Sequence, residues 1–226
     1  MLLNLLMGGN LREFFITLLL SLPIVFLSLS LHETAHGFVA YKLGDPTARN
    51  YGRLTLNPLQ HLDPIGFICM LFFGFGWAKP VPVNSRYFKK PRRDMALTGV
   101  AGPISNLLLA VIFALLLRLV FALGNPAAFF APVSTVDYIW YYLWTMLVLG
   151  MEINITFAVF NMIPIPPLDG SRLLFAFLPP NQYFKFMRYE RYISIGLMLA
   201  LFLGLLDTPI NFVTNLFWNL ITRLIF

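Results

Sequence analysis

The sequence is poor in charged side chains. Of its 226 residues only 12% are Asp, Glu, Lys or Arg, whereas a soluble domain contains about 25%. Hydrophobic residues make up 58% of the chain, and the mean hydropathy is +0.75. This composition excludes a water-soluble globular protein. It predicts a polytopic membrane protein, organised as a single membrane-embedded domain over residues 1–226.

Cysteine occurs once, at Cys69. A single cysteine excludes an internal disulfide, so covalent cross-linking does not contribute to the predicted fold. Cys69 lies in an apolar stretch, where an unpaired cysteine behaves as a small buried hydrophobic residue.

Basic residues are missing from the stretch 124–136, although the net charge is +6. Thirteen of the 16 lysines and arginines fall in two segments, 42–94 and 170–191. Because cytoplasmic loops are enriched in Lys and Arg, we expect both segments on the cytoplasmic side of a cell membrane and 124–136 outside. The N-terminus is then outside and the C-terminus cytoplasmic. Topology and contact with anionic lipid account for the positive charge, so no nucleic-acid partner is predicted.

Apolar runs divide the chain into five predicted transmembrane spans. A spanning helix needs ~20 apolar residues, and the last two runs are near the lower limit. The predicted spans cover about 12–43, 95–123, 138–163, 192–206 and 209–226.

Two segments between the first and second spans differ from them. Residues 65–77 are apolar but number only 13, too few to span, so we expect a re-entrant loop. Residues 51–58 alternate for a few positions, which predicts a short cytoplasmic β element. The predicted fold class is therefore an all-α polytopic membrane protein with about five transmembrane helices, a re-entrant loop and a short β element.

One motif at the end of the first span indicates chemistry. It reads His32-Glu33-Thr34-Ala35-His36. Histidines at i and i+4 lie on one face of a helix, so both can reach one metal ion. A glutamate beside them can act as a base toward a metal-bound water. The pattern is typical of a zinc hydrolase.

A second motif follows the third predicted span. Residues 161–170 read Asn-Met-Ile-Pro-Ile-Pro-Pro-Leu-Asp-Gly, and the prolines end the helix. Asp169 is expected on the same side of the membrane as His32 and His36. Two histidines and a carboxylate leave a fourth zinc position for water, as in catalytic sites. The alternative is an ordinary turn aspartate before Gly170.

Together these motifs resemble those of the site-2 protease family, the intramembrane zinc metalloproteases of peptidase group M50. The second motif is similar to the family pattern Asn-x-x-Pro-x-x-Pro-x-Asp-Gly. Residues 101–106 resemble a further element, Gly-Pro-x-x-Asn, and residues 75–84 resemble a segment of compact prokaryotic members. The similarity covers roughly residues 10–175, and we find no PDZ or CBS domain, so the chain resembles a compact form.

The resemblance implies a role for each matching residue. His32, His36 and Asp169 would bind one Zn²⁺ per chain. Glu33 would take a proton from the attacking water and pass it to the leaving amine. Asn161 would steady the substrate carbonyl or the developing oxyanion. The implied partners are transmembrane protein substrates, cut near the cytoplasmic side, and membrane lipid.

Some alternatives stay open at this stage. A metal or ion transporter could use the same His/His/Asp site, but it would have no need of a base at Glu33. A catalytically inactive scaffold would not need all three predicted metal ligands and the glutamate. Asn106 is either interhelical packing or part of the site, and the roles of His61 and Glu152 are undecided.

Overall fold

The computed structural model describes residues 11–73, 77–124, 129–178 and 180–226. Its helices, in chain order, are α1 (Leu11–Lys42), α2 (Thr47–Asn50), α3 (Pro58–His61), α4 (Pro64–Phe73), α5 (Pro91–Leu123), α6 (Thr135–Asn161), α7 (Gly170–Phe177), α8 (Pro180–Phe202) and α9 (Asp207–Ile225). A 3₁₀ turn covers Ser85–Tyr87.

The described part of the chain contains three helices that are long and apolar enough to cross a membrane, namely α1, α5 and α6. They correspond to the first three predicted spans. α1 ends where its sequence predicts, because Gly44 adopts a φ of +108°. The amides of Gly44 and Asp45 then bond back to the carbonyls of Tyr41 and Ala40, which closes the last turn.

The prediction of five spans is not confirmed. The last two helices meet at an angle of 79° across a short break and count together as at most one broken span or re-entrant element. Gly204 makes this break possible with a φ of +68°. The amides of Gly204 and Leu205 bond to the carbonyls of Leu201 and Ala200, as in a helix C-terminus. Each of the two apolar runs has fewer than the ~20 residues that a spanning helix needs. Neither run is therefore required to cross the membrane as a straight helix by itself.

The prediction of a β element at 51–58 is not confirmed. These residues form turns and irregular chain, and the structure has no strand anywhere in its described ranges. Gly52 has a φ of +66°, which interrupts an extended run, and Pro58 begins α3. The carbonyl of Thr55 accepts hydrogen bonds from the side chains of Thr34 and His61, not from a neighbouring strand.

The predicted re-entrant segment 65–77 forms the short helix α4, and residues 74–76 lie outside the described residues. The two ends of the segment lie together, since the Lys79 amide donates to the His61 carbonyl at 2.8 Å. A Cβ at Gly66 would lie 2.1 Å from the Trp77 carbonyl oxygen. The residues before and after the segment thus lie side by side. A helix that crossed the membrane once would place them on opposite sides.

α5 is the central helix, and it packs against α1, α6, α7 and α9. The apolar core lies between these elements, with Ile24, Phe113, Met151, Ile155 and Ile221 among its buried residues. Towards the C-terminal half of α1 the interior becomes polar, and Asn106 and Asn154 are fully buried there. Polar groups at this depth need protein partners, since lipid offers none.

Candidate metal centre

Two imidazoles and a carboxylate converge near the C-terminal end of α1. His32 and His36 lie one turn apart and project from the same face. Asp169 comes from the segment between α6 and α7. Its Oδ2 lies 3.0 Å from Nε2 of each histidine, and the two Nε2 atoms lie 3.1 Å apart. All three side chains are buried, and together they form a cluster that could hold a metal ion.

The other ring nitrogen of each histidine has its own acceptor. His36 Nδ1 lies 2.6 Å from the backbone carbonyl of Thr98, and His32 Nδ1 lies 2.6 Å from Oδ1 of Asn106. A carbonyl oxygen can only accept, so each Nδ1 carries the proton. In the neutral tautomer that these bonds select, each ring presents an unshared electron pair at Nε2, which is the form that binds a metal.

Hydrogen bonds between neutral imidazoles and the carboxylate do not account for the contacts inside this cluster. With both Nδ1 atoms protonated, the two Nε2 atoms and Asp169 Oδ2 are three acceptors only 3.0–3.1 Å apart. Such atoms repel one another unless a cation lies among them. In a tetrahedral zinc site, ligands bound at ~2.0–2.1 Å lie ~3.4 Å apart. The nitrogen and oxygen donors present here thus fit zinc, with a fourth position left for water.

Asp169 has a further partner that sequence reasoning missed. Its Oδ1 lies 3.8 Å from Nη1 of Arg172, three residues further along, at the start of α7. The positive charge of the guanidinium favours the ionised carboxylate, which is the form that a cation site needs.

The chain between α6 and α7 folds back tightly to deliver Asp169. The Leu168 amide bonds to the carbonyl of Ile165, and the Ser171 amide bonds to that of Leu168. A Cβ at Gly170 would lie 2.3 Å from the Met162 carbonyl oxygen. Only glycine permits this approach of the new helix to the end of the old one.

Glu33 lies on α1 beside the histidines and is 9% exposed. Its Oε2 accepts a hydrogen bond of 2.9 Å from the backbone amide of Val81. The segment that follows Trp77 therefore covers this part of α1. The contact is made by a backbone amide, so no side-chain pattern could have revealed it.

Asn161, the last residue of α6, is not part of the three-atom cluster in the described structure. Its amide nitrogen donates to the carbonyl of Phe157 at 3.0 Å, and its side chain is half-buried. The predicted role of Asn161 toward an oxyanion stays a prediction.

The two residues whose roles were undecided lie apart from the cluster. His61 is buried, and its Nε2 bonds to the Thr55 carbonyl at 2.8 Å, while its Nδ1 has no partner within the described residues. His61 thus fastens the loop between α2 and α3. Glu152 is exposed on the surface of α6.

Gly102 on α5 allows the close approach that completes the cluster. A Cβ at this position would lie 2.4 Å from His36 Nε2 and 2.7 Å from His32 Cε1. Side-chain atoms essentially never come so close, so any larger residue would displace the imidazoles. The glycine in Gly-Pro-x-x-Asn thus has a specific place beside the metal-facing nitrogens.

We therefore predict that Gly102→Ala lowers zinc affinity by about 10–100-fold, the range found when groups that position ligands are disturbed. The helix itself gains propensity from this change, by ~1 kcal/mol, so a loss of zinc would not reflect a weaker helix. Elemental analysis after dialysis against a chelator measures the effect.

Gly196→Ala in α8 is the matched control, since a Cβ at this position would have no neighbour within 4 Å among the described residues. It should retain zinc as the unaltered protein does. Equal zinc retention in Gly102→Ala would contradict the geometry given for the cluster.

Comparison with known proteins places this chain in a family. The model of peptidase family M50 matches residues 20–204. "Putative zinc metalloprotease YwhC" of Bacillus subtilis is 45% identical over 186 residues, which cover 81% of this chain and 78% of that protein. "Putative zinc metalloprotease Rip2" of Mycolicibacterium smegmatis is 31% identical over 163 residues, or 69% and 56% of the two chains. No solved structure matches the chain.

The matched region includes both histidines, Glu33 and Asp169, as well as most of α1 and all of α5 and α6. A cluster that fits zinc, membrane-length helices and these relatives agree with one another. The chain belongs to peptidase family M50 and is a membrane zinc metalloendopeptidase.

Proposed function

We propose that this protein hydrolyses peptide bonds within transmembrane segments of other membrane proteins, near the cytoplasmic side. His32, His36 and Asp169 hold one Zn²⁺ in this proposal. The observation that carries it is the convergence of three ligand atoms, 3.0–3.1 Å apart, at the end of a helix long and apolar enough to span a membrane.

Bound zinc supplies Lewis acidity, which polarises a carbonyl and lowers the pKa of water toward ~7. Glu33 then takes the proton of the attacking water and passes it to the leaving amine. Its buried position beside the histidines suits this role, because a base must lie within reach of the water while staying off the metal. The hydrogen bond from the Val81 amide holds one carboxylate oxygen in place.

Asn161 is proposed to donate to the substrate carbonyl as negative charge develops on it. Its side chain lies at the C-terminal end of α6, where the chain turns toward Asp169. Its present acceptor is the Phe157 carbonyl of its own helix, a bond that a rotation of the side chain can exchange for a substrate oxygen.

The depth of the site sets where a substrate would be cut. His32 follows Leu11 by 21 residues of continuous helix, or ~32 Å at 1.5 Å per residue. That distance is close to the ~30 Å thickness of the hydrocarbon core. A substrate helix must unwind at this level, because its amides are otherwise engaged in helical hydrogen bonds. Gly, Pro or Asn near the cut therefore favours cleavage.

The proposed topology places the N-terminus outside and the C-terminus in the cytoplasm. Basic segments 42–94 and 170–191 then share the side of the metal cluster, where they meet anionic lipid. The segment around α4 is proposed as a re-entrant element, in line with the hydrogen bond that joins its two ends.

Glu33→Gln keeps the shape of the side chain and removes its basicity. We expect it to lower cleavage of a reconstituted transmembrane substrate by ~10²–10⁴-fold, with zinc retained. Mass spectrometry of products from the unaltered enzyme should locate the cut in the cytoplasmic third of the substrate span.

Glu190→Gln, which changes a glutamate outside the cluster, is the control and should cleave normally. Full activity of Glu33→Gln would remove the proposed base. Zinc binding without any cleavage by the unaltered protein would favour the transporter interpretation.

Topology is tested by single cysteines in a Cys69→Ser background. Leu59 and Val133 are 78% and 89% exposed, so either position accepts a cysteine without repacking. We expect an impermeant thiol reagent to label Leu59→Cys from the cytoplasmic face alone and Val133→Cys from the outer face alone. Labelling of both from one face would rule out the proposed orientation of α5.

A further inference from the structure

Two fully buried asparagines link the interior of the helix bundle to the metal centre. Asn106 on α5 and Asn154 on α6 both have 0% exposure. Asn106 Oδ1 lies 2.6 Å from His32 Nδ1, and Asn106 Nδ2 donates to Asn154 Oδ1 at 2.8 Å. Asn154 Nδ2 in turn donates to the Gly150 carbonyl at 2.8 Å.

The direction of this chain of hydrogen bonds follows from its last member. The Gly150 carbonyl can only accept, so the NH₂ group of Asn154 must face it and the Asn154 oxygen must face Asn106. That oxygen in turn requires the NH₂ group of Asn106, which leaves the Asn106 oxygen toward His32. A weaker contact of 3.4 Å from Asn106 Nδ2 to the Ser28 carbonyl favours the same orientation.

The two histidines differ in how they obtain an acceptor. His36 uses the Thr98 backbone carbonyl, which cannot exchange its oxygen for a donor. His32 uses an amide side chain, and rotation of that amide by 180° would present NH₂ instead of oxygen. The proton of His32 would then move to Nε2, the atom that faces Asp169, and that nitrogen could no longer bind a metal.

We infer that Asn154 is a positioning residue for the metal centre: it fixes the amide orientation of Asn106, which keeps the proton of His32 on Nδ1 and leaves Nε2 free for zinc. This inference rests on the proposed ligand role of His32. The Asn154 side chain bonds to Asn106 and to the Gly150 carbonyl, not to the three metal-facing atoms, so it acts through Asn106. We call this chain of hydrogen bonds, from Gly150 through Asn154 and Asn106 to His32, the relay. If the two asparagines only packed the helices together, one hydrogen bond between their amides would be enough. Either amide could then be the donor.

The test compares Asn154→Leu in two backgrounds. In the unaltered protein, loss of Asn154 lets the Asn106 amide rotate, so zinc affinity should fall by about 10-fold. In an Asn106→Asp background both carboxylate oxygens are acceptors, so the oxygen toward His32 accepts the Nδ1 proton in either orientation. There Asn154→Leu, which also removes the Asn154 oxygen from beside the carboxylate, should not lower zinc affinity.

The measured quantities are zinc retention against a chelator and the visible spectrum of the cobalt-substituted protein, both in purified full-length chain. Asn106→Leu should weaken zinc binding by about 10–100-fold, and Asn106→Asp should restore it. Asn215→Leu on the exposed face of α9 is the matched control and should bind zinc normally.

The competing account is that Asn154 only packs the helices. It predicts an equal fall in zinc affinity when Asn154→Leu is made in either background, and that result would overturn the inference. If Asn106→Asp fails to fold, Asn154→Asp in the otherwise unaltered protein distinguishes the two accounts. It keeps an acceptor for Asn106 Nδ2 and should retain zinc, whereas a zinc loss equal to that of Asn154→Leu would refute the relay.

Zinc loss and loss of the proposed function are distinguishable in this design. A protein that binds zinc as described but cleaves no transmembrane substrate would contradict the proposed reaction and leave the relay standing. A protein that cleaves normally while Asn154→Leu and Asn106→Leu both keep their zinc would contradict only the relay.

Discussion

Three electron-pair donors held 3.0–3.1 Å apart are the constraint on which the rest of this structure depends. Each imidazole is held by a hydrogen bond at its Nδ1 atom, and Oδ1 of the Asp169 carboxylate lies 3.8 Å from the Arg172 guanidinium. The mutual repulsion of the three donors is relieved by a cation. α1, α5 and the segment before α7 must all meet at this point for the cluster to exist.

The surrounding helices are arranged to make that meeting possible in a membrane. Gly102 removes the side chain that would otherwise collide with His36, and Gly170 lets α7 begin against the end of α6. The Thr98 carbonyl and the Asn106 amide accept the protons that the imidazoles present to the protein interior. Both imidazoles thus have protein partners for these protons, which an apolar surrounding requires.

The sequence predicted which side chains come together better than it predicted the course of the chain. His32 and His36 stand at helical spacing after a long apolar run, and that periodicity is a local property which the fold retains. Asp169 was found through its motif, although 133 residues separate it from His36. The three long spans were predicted for the same reason, since hydropathy over ~20 residues reports membrane crossing directly.

The predictions that the structure does not confirm concern short segments that depend on distant neighbours. The alternation over 51–58 predicted a strand, but a strand requires a partner, and side chains of Thr34 and His61 take up the Thr55 carbonyl instead. The last two apolar runs have the composition of membrane spans, but the two helices that they form meet at an angle of 79° across a short break. The backbone contacts from Val81 and Thr98 leave no mark in the sequence, because any residue can supply a carbonyl and any residue but proline an amide.

The central claim is that His32, His36 and Asp169 form one zinc site within a membrane protein. Zinc K-edge X-ray absorption combined with elemental analysis of the purified chain tests it most directly. We expect one zinc per chain, with two imidazoles and oxygen donors at ~2.0–2.2 Å, and a loss of one imidazole contribution or of the metal in His36→Ala. A sulfur shell at ~2.3 Å, or an absorption spectrum and zinc content unchanged by His36→Ala, would contradict the account.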